Sequence, residues 1–261
     1  MITDSHCHST WSQDGKASPE QMLAAAAERQ IDILAITDHA DFMPGDSIFA
    51  PERYLENLHS IAASSRKVKL ICGVELGIQA EHADLCRAFV AGHNFDFIIA
   101  SMHRARELDF YYGEFYKHHG DANECWKIYL EESLKAVRAF EDFDVFGHLD
   151  LIRRYGLTRG TKIPAQLGSE LDELLSWLIE HNKGIEINTS GIRYGLESFH
   201  PYLEILQRYC QMGGQIVTIG SDSHNIETLG ENFLPAVEML KSCGIQRVAW
   251  YKNRQPHFAD L

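Results

Sequence analysis

The sequence predicts an α/β protein built as a parallel βα barrel. Short β-branched apolar runs alternate with amphipathic helical segments from one end of the chain to the other. The length of 261 residues is close to the typical size of such a barrel, about 250 residues. No polar linker or low-complexity segment interrupts this alternation, so we expect a single domain over residues 1–261. A doubly wound open sheet is the alternative architecture.

Seven short apolar runs are predicted as strands of one parallel sheet, because a helical segment separates each run from the next. They cover residues 2–5, 33–37, 68–74, 97–101, 144–147, 185–188 and 216–220. An additional short strand is predicted at residues 247–250. Seven or eight βα units favour a barrel over an open sheet.

Helices are predicted between the strands from apolar spacing and from capping residues. Ser18, Pro19 and Gln21 form a helix start with a reciprocal capping pair. Asp121 and Ser169 are the predicted N-caps of two later helices. Beyond the helix that begins at Pro19, the predicted helices cover residues 51–64, 83–91, 122–140, 169–182, 202–212 and 232–242.

The segment from residue 103 to residue 121 lacks a clear strand and is rich in aromatic residues. These are Phe110, Tyr111, Tyr112, Phe115 and Tyr116. Such a segment either covers an active site as a loop or packs locally against the domain.

The composition is acidic, with 24 Lys and Arg against 37 Asp and Glu and a formal net charge of −13. A chain of this charge repels phosphate backbones, so we expect small-molecule chemistry and no broad nucleic-acid surface. No apolar run of about 18 residues occurs, and the first residues lack the pattern of a secretion signal. We therefore expect a cytoplasmic protein without membrane contact. The six cysteines are scattered, which indicates reduced thiols packed mostly in the core.

Potential metal ligands follow the predicted strands at the same point of successive βα units. Of the 14 histidines, six lie at strand ends, whereas the others fall in predicted helices or loops. The strand-end donors are His6, His8, Asp38, His39, Glu75, His103, His148, Asp222 and His224. In a parallel barrel the carboxyl ends of all strands meet at one mouth, so these side chains should converge. Residues two apart on a strand face the same side, which places His6 with His8 and Asp222 with His224.

Nine donors are selected as candidate ligands. Asp14, in the sequence SQDG, is either a turn residue or a ligand. The nine are His6, His8, Asp14, His39, Glu75, His103, His148, Asp222 and His224. They are too many for one ion that keeps an open position, and they suit two or three ions with Glu75 as a bridge. The mixture of imidazole and carboxylate favours Zn, Mn or Fe.

Seven short motifs occur in a recognisable order. They are DSHCHSTWSQDG (residues 4–15), ITDHA (36–40), GVE (73–75), SMH (101–103), GHLD (147–150), EINTSGIRYG (186–195) and GSDSH (220–224). Together they resemble the polymerase and histidinol phosphatase (PHP) superfamily, most closely its stand-alone histidinol-phosphatase branch. The resemblance spans essentially the whole chain. It implies a distorted seven-stranded βα barrel with a trinuclear metal centre.

The resemblance also implies how the donors are shared among three ions. The first ion is expected on His6, His8, Glu75 and Asp222, the second on Glu75, His103 and His148, and the third on Asp14, His39 and His224. Asp14 stands where some members of the superfamily carry His. A carboxylate is a chemically reasonable ligand at that position.

Phosphate-binding arginines are implied as well. Arg193, in the sixth motif, fits best. Arg153 or Arg154, after GHLD, is the second candidate, and Arg104 is the third. A guanidinium presents paired donors that match phosphate oxygens, which a lysine does less well.

The implied activity is metal-dependent hydrolysis of a phosphomonoester. The expected reaction converts L-histidinol phosphate to L-histidinol and phosphate in histidine biosynthesis, with Glu75, Asp222 and Arg193 as catalytic residues. Three alternatives stay open: a PHP enzyme for another phosphoester such as a nucleotide or short oligonucleotide, an amidohydrolase, and a non-catalytic metal-binding module. Amidohydrolases commonly bridge their metals with a modified lysine from the fourth strand. The sequence SMHR (residues 101–104), at the end of the predicted fourth strand, contains no lysine, which favours PHP.

Overall fold

The chain forms one nearly closed parallel barrel in this computed structural model, which describes residues 1–42 and 48–261. The strands of these residues are β1 (Thr3–Cys7), β2 (Ile33–Ile36), β3 (His39–Asp41), β4 (Lys69–Gly77), β5 (Phe97–Ser101), β6 (Arg104–Ala105), β7 (Leu108–Asp109), β8 (Val145–Phe146), β9 (Gly184–Asn188), β10 (Val217–Gly220), β11 (Arg247–Lys252) and β12 (Gln255–Asp260). Strands β1, β2, β4, β5, β8, β9 and β10 lie side by side in chain order, and all neighbouring pairs are parallel.

The two edges of this sheet meet, and their contact closes the barrel. The backbone N–H of Asp222 donates to the carbonyl of His6 at 2.8 Å, and the N–H of His8 donates to the carbonyl of Ser223 at 2.8 Å. A sequential strand order without a reversal point, together with this edge contact, excludes the doubly wound open sheet. The predicted βα barrel is confirmed, with seven parallel strands.

The helices lie between the strands, mostly where the sequence predicts them. In the described residues they are α1 (Pro19–Glu28), α2 (Pro51–Ser64), α3 (Ala83–Val90), α4 (Glu114–His119), α5 (Ala122–Ala139), α6 (Gly168–Glu180), α7 (Ser190–Arg193), α8 (Leu203–Gln211) and α9 (Phe233–Ser242). The capping pair of Ser18 and Gln21 is confirmed, as is the Asp121 cap. The cap predicted at Ser169 is wrong, because α6 begins one residue earlier and the Ser169 hydroxyl donates to Glu170 instead.

Three predicted strands differ from the structure in ways that affect the site or the barrel. The first strand, predicted over residues 2–5, extends to Cys7, so His6 lies within it rather than after it. The third barrel strand continues past Glu75 to Gly77, because β3 pairs with β4 over this stretch. Glu75 therefore lies within a barrel strand rather than after it. The strand near the end of the chain is not an eighth barrel unit, because β11 pairs antiparallel with β12. The sequence gives no apolar run for β12, most of whose side chains are exposed.

The structure also shows the state of the cysteine thiols and the length of the apolar helices. All six cysteines are free thiols, and four of them are buried. No helix in the described part of the chain is long and apolar enough to cross a membrane.

Helix α5 contributes the large buried side chain Trp126, which is 1% exposed. Its indole N–H donates to the Thr161 hydroxyl at 2.9 Å, and its ring meets Tyr129 edge-on. Trp126→Ala should lower the free energy of unfolding by about 3–5 kcal/mol, because it leaves a cavity and an unpaired hydroxyl. Urea denaturation measures this loss.

Leu234, on α9, is the matched control because 70% of its surface is exposed. Leu234→Ala should change the free energy of unfolding by less than about 0.5 kcal/mol. Equal losses for the two variants would contradict the assigned position of Trp126 in the core.

Candidate metal centre

The structure brings all nine predicted ligands together at the carboxyl-terminal mouth of the barrel. Six of them line a cavity of about 660 Å³, namely Asp14, His39, His103, His148, Asp222 and His224. The other three, His6, His8 and Glu75, have no exposed surface. Each of them lies within 4 Å of a cavity-lining donor: His6 and His8 of Asp222, and Glu75 of His39. The convergence expected from the strand ends is observed, and the role of each side chain as a ligand stays a prediction.

The carboxylate of Glu75 lies at the centre of this cluster. Its Oε2 atom is 2.7 Å from Nδ1 of His39, 3.3 Å from Nε2 of His6 and 3.6 Å from Nε2 of His8. Three imidazoles from β1, β3 and the loop after β1 thus face one carboxylate oxygen. Oε2 of Glu75 is therefore placed where more than one set of metal ligands could share it.

The other oxygen of Glu75 faces the strands on the opposite side. Oε1 is 2.9 Å from Nε2 of His148 and 3.3 Å from Nε2 of His103. It also accepts a hydrogen bond of 2.6 Å from the Ser101 hydroxyl. Glu75 therefore links the donors of β1 and β3 with those that follow β5 and β8.

The donor atoms fall into compact groups of the kind that hold metal ions. One group joins His6, His8 and Asp222, a second joins Glu75, His103 and His148, a third joins His8, His39 and His224, and a fourth joins His39, Asp41 and His103. Within each group the ligand atoms lie within 4.8 Å of one another. The second group has the same members as the set implied for the second ion, and the first group has three of the four residues implied for the first ion. The assignment of ions to these groups stays a prediction.

Asp14 lies at the edge of the third group. Its Oδ2 atom is 3.1 Å from Nε2 of His224 and 3.9 Å from Nε2 of His39. Its side chain is 61% exposed, in contrast to the buried Glu75. Asp14 is thus positioned as an outer donor to a pair of histidines.

The donor set fits divalent ions and leaves polar atoms that protein contacts do not satisfy. Oε2 of Glu75 and Nδ1 of His39 are buried and form no hydrogen bond despite their short separation. Two imidazole nitrogens, Nε2 of His6 and Nε2 of His8, face each other at 3.1 Å. Buried polar atoms are normally satisfied, and a cation that accepts their lone pairs meets this requirement. Cys7 is excluded from the set, because its thiol points away and donates to the carbonyl of Ala35.

Charges within the cluster shift the pKa values of its members in opposite directions. Burial opposes the ionisation of Glu75, but the imidazoles of His6 and His39 hold the pKa of its carboxyl well below the usual range. Burial lowers the pKa of His39, yet the Glu75 carboxylate outweighs it and raises that pKa to about 9. Burial and the charges of His39 and His224 hold the pKa of His8 well below its usual value. An ionised carboxylate and a neutral imidazole are the forms that bind metal.

Two carboxylates outside the nine candidates hold histidines of the cluster in place. Asp41, on β3, accepts from Nδ1 of His103 at 2.9 Å. Glu186, on β9, accepts from Nδ1 of His6 at 2.7 Å. The sequence prediction missed both residues. Asp41 stands two residues after His39, so the same two-residue spacing was available as a signal.

Asp38, a potential metal ligand in the sequence, has a different role in the structure. It follows β2 as a potential ligand, but its carboxylate accepts hydrogen bonds from the backbone and hydroxyl groups of Ser9 and Ser12. Asp38 therefore holds the loop between His8 and Asp14 in its conformation, and its carboxylate is not free to bind an ion.

Two arginines line the cavity beside Asp222. Nη2 of Arg154 is 3.2 Å from Oδ2 of Asp222 and 2.6 Å from the hydroxyl of Ser190. Arg193 donates through Nη2 to the carbonyl of Asp222 at 2.8 Å and through Nη1 to the Glu231 carboxylate at 2.6 Å. Both guanidinium groups place positive charge on the wall of the mouth.

Arg153 does not line the cavity, and this placement removes it from the phosphate-binding candidates. Its guanidinium donates to the carbonyl of Thr161 and the hydroxyl of Ser198 and lies over the ring of Tyr202. Arg153 and Arg154 are consecutive in one short 3-10 turn, so their side chains diverge. The third candidate, Arg104, does line the cavity.

The aromatic segment of residues 103–121 carries both buried and exposed aromatic side chains. It contains the β6–β7 hairpin and α4. Phe110 and Phe115 have no exposed surface, whereas Tyr111 and Tyr112 are 67% and 70% exposed. Both tyrosines line the cavity. The segment thus packs against the domain and forms part of the cavity rim.

Comparison with known proteins assigns the family. The family model of the PHP domain matches residues 4–190, a stretch that carries seven of the nine candidate ligands. The chain belongs to the PHP domain family. The likeness extends along nearly the whole chain, as full-length relatives show.

Two full-length relatives carry the name histidinol-phosphatase. A probable histidinol-phosphatase of Clostridium acetobutylicum is 30% identical over 257 residues, which are 97% of this chain and 98% of that protein. A histidinol-phosphatase of Lactococcus lactis is 30% identical over 256 residues, 96% of this chain and 94% of that protein.

A solved structure has the same barrel. It is the crystal structure of histidinol phosphate phosphatase from Lactococcus lactis, complexed with Zn, L-histidinol and phosphate. Its TM-score with this chain is 0.86 at 29% identity, and the match covers 98% of each chain. The expected PHP-type barrel is thereby confirmed.

Removal of the central carboxylate should affect metal binding more than removal of the outer one. Glu75→Gln should lower the zinc content of the purified protein by more than one ion per chain, because Glu75 faces two donor groups. Asp14→Asn should lower it by at most one ion. Elemental analysis after dialysis against metal-free buffer measures both. A greater loss for Asp14→Asn would show that the donors are grouped incorrectly.

Proposed function

We propose that this PHP domain protein is a metal-dependent phosphomonoesterase that hydrolyses L-histidinol phosphate to L-histidinol and phosphate. The observation that carries the proposal is the convergence of nine nitrogen and oxygen donors on one cavity, with two arginines on the same wall. The relatives named histidinol-phosphatase, which match nearly the whole chain, support this substrate. The zinc, L-histidinol and phosphate in the Lactococcus lactis structure support both the metal and the substrate.

The proposed cofactors are two or three divalent ions, with zinc favoured and manganese or iron as alternatives. Their ligands would be His6, His8, Asp14, His39, Glu75, His103, His148, Asp222 and His224. Such ions, when bound, activate water as a nucleophile and neutralise charge on phosphoryl oxygens. The proposed setting is cytoplasmic histidine biosynthesis.

The chain's own residues would bind and orient the phosphoryl group. The guanidinium of Arg193 lines the cavity, paired with the Glu231 carboxylate and hydrogen-bonded to the carbonyls of Ser221 and Asp222, so a phosphoryl group in the cavity would lie beside its positive charge. Arg154 is held against Asp222, and the Asp222 carboxylate reaches His8 with its other oxygen at 3.3 Å. Asp222 therefore connects the positively charged wall with the metal donors, so that a phosphate bound by the arginines lies beside the ions.

The cavity also suits a small leaving group. Its volume of about 660 Å³ lies in the range of small-molecule sites. Aromatic rings on its rim, from Tyr111, Tyr112, Tyr155 and Tyr194, provide flat surfaces that match an imidazole ring. The negative charge of the whole chain disfavours long polyanionic substrates.

Steady-state turnover on a panel of phosphomonoesters tests the proposal. We expect zinc-loaded protein to hydrolyse L-histidinol phosphate with a kcat/KM roughly tenfold or more above that for nucleotide monophosphates and sugar phosphates. Chelated protein should lose this turnover. If the protein prefers a nucleotide or a short oligonucleotide, it is a PHP enzyme for that other phosphoester. If the fully zinc-loaded protein hydrolyses none of these substrates, it is a non-catalytic metal-binding module.

Arg193→Ala should raise KM for L-histidinol phosphate and lower kcat, with the zinc content unchanged. Loss of charge-assisted hydrogen bonds to the phosphoryl oxygens should cost about 2–4 kcal/mol, a fall of roughly thirty- to a thousandfold in kcat/KM. Arg193→Lys should restore only part of the loss, because an ammonium keeps the charge without the paired geometry.

Arg138→Ala is the control for Arg193, because it removes an exposed guanidinium that pairs with Glu173 far from the cavity. Its kinetics should stay within about twofold of the parent. Similar kinetics for the Arg193 and Arg138 variants would exclude Arg193 from the phosphate site.

A further inference from the structure

Glu186 is a fully buried carboxylate beneath the metal donors, and both of its oxygens are used as acceptors. Oε1 accepts from Nδ1 of His6 at 2.7 Å. Oε2 accepts from the backbone N–H of His148 at 2.9 Å and from the side-chain amide of Asn188 at 3.2 Å. One side chain on β9 therefore contacts a donor from β1 and a donor that follows β8.

The contact with His6 determines which ring nitrogen is available to a metal. The hydrogen bond from Nδ1 of His6 to Oε1 of Glu186 places the ring proton on Nδ1. Nε2 is then the ring nitrogen available to a metal, and it lies 3.3 Å from Oε2 of Glu75. A carboxylate behind the imidazole also raises the basicity of the metal-binding nitrogen.

The contact with His148 fixes a backbone that has an uncommon conformation. His148 has a φ of 22°, in the left-handed region that non-glycine residues rarely adopt. Its N–H is held by Glu186, and its Nε2 atom lies 2.9 Å from Oε1 of Glu75. The position of the second donor group thus depends on the same carboxylate as the first.

The neighbouring strand leaves room for this carboxylate. A Cβ atom on Gly220 would lie 2.3 Å from Oε1 of Glu186 and 2.3 Å from Cβ of His6. Only glycine at the end of β10 allows these two side chains to meet. The contact is therefore built into three strands, β1, β9 and β10.

We propose that Glu186 is a positioning residue that prepares His6 and His148 together for metal binding. It thereby couples the donor group of His6, His8 and Asp222 to that of Glu75, His103 and His148. The proposal rests on the metal centre of the proposed function. It does not depend on which phosphoester is the substrate, because it concerns the affinity for the ions.

An amide at this position cannot replace the carboxylate. In Glu186→Gln, if the amide oxygen accepts from the His148 N–H, the amide nitrogen faces Nδ1 of His6. That arrangement moves the His6 proton to Nε2, where it blocks a metal. If the amide is rotated, its N–H groups face the donors of His148 and Asn188. Each arrangement disrupts one of the two donor groups.

The experiment measures zinc affinity by competition with a chromophoric chelator. Glu186→Gln should weaken zinc binding by roughly 10- to 100-fold relative to the parent. Asp144→Asn is the matched control, because Asp144 is 7% exposed and accepts from the Ile98 N–H and from Arg254 at the opposite end of the barrel. This control should lower stability and leave zinc affinity within about twofold of the parent.

A double substitution separates positioning from general destabilisation. In a chain that already carries His6→Ala, Glu186→Gln should weaken zinc binding by a smaller factor than in the parent, because one of its two contacts is gone. If Glu186→Gln folds only with zinc present, the zinc concentration at half-maximal folding replaces the affinity, and it should be higher than that of Asp144→Asn.

Equal zinc affinity for the parent and Glu186→Gln would overturn the proposal while leaving the metal centre intact. The same weakening by Glu186→Gln with and without His6 would also overturn it. A parent protein that binds no zinc would overturn both the metal centre and this proposal.

Discussion

The structure depends on the burial of one carboxylate, that of Glu75, among imidazoles at the mouth of a parallel barrel. An ionised group without exposed surface is costly unless opposite charge lies close to it. The described residues supply imidazoles from four positions along the sheet and one hydroxyl, which still leaves one carboxylate oxygen without a hydrogen bond. The proposed divalent ions would provide the missing positive charge, so the fold and the proposed chemistry have the same requirement.

A second layer of buried carboxylates keeps these imidazoles in place. Asp41 and Glu186 each accept from the ring nitrogen that faces away from the centre, on His103 and His6. Gly77 and Gly220 leave space for these two carboxylates, because a Cβ atom at either position would clash with them. The acidic excess of the chain is thus partly concentrated behind the metal donors, where it increases the attraction for cations.

The sequence alone predicts the barrel and eight of the nine donors because both follow from periodic features, whereas Asp14 lies in a loop and has no such signal. Strand ends recur once per βα unit, and His6 and His8 share a face because they are two residues apart. The supporting residues have no such signature. Glu186 lies inside a strand, where a lone carboxylate between isoleucines does not reveal its partners. Arg153 and Arg154 are adjacent, and only the turn geometry shows that Arg154 alone faces the cavity.

The position of the ions around Glu75 is the central claim, and anomalous diffraction from zinc-loaded crystals tests it most directly. Two or three anomalous peaks should appear at the barrel mouth, with zinc about 2.0–2.2 Å from imidazole nitrogens and from carboxylate oxygens. At least two of the zinc ions should contact Glu75. A single ion bound away from Glu75, or no anomalous peak at the mouth, would contradict the account.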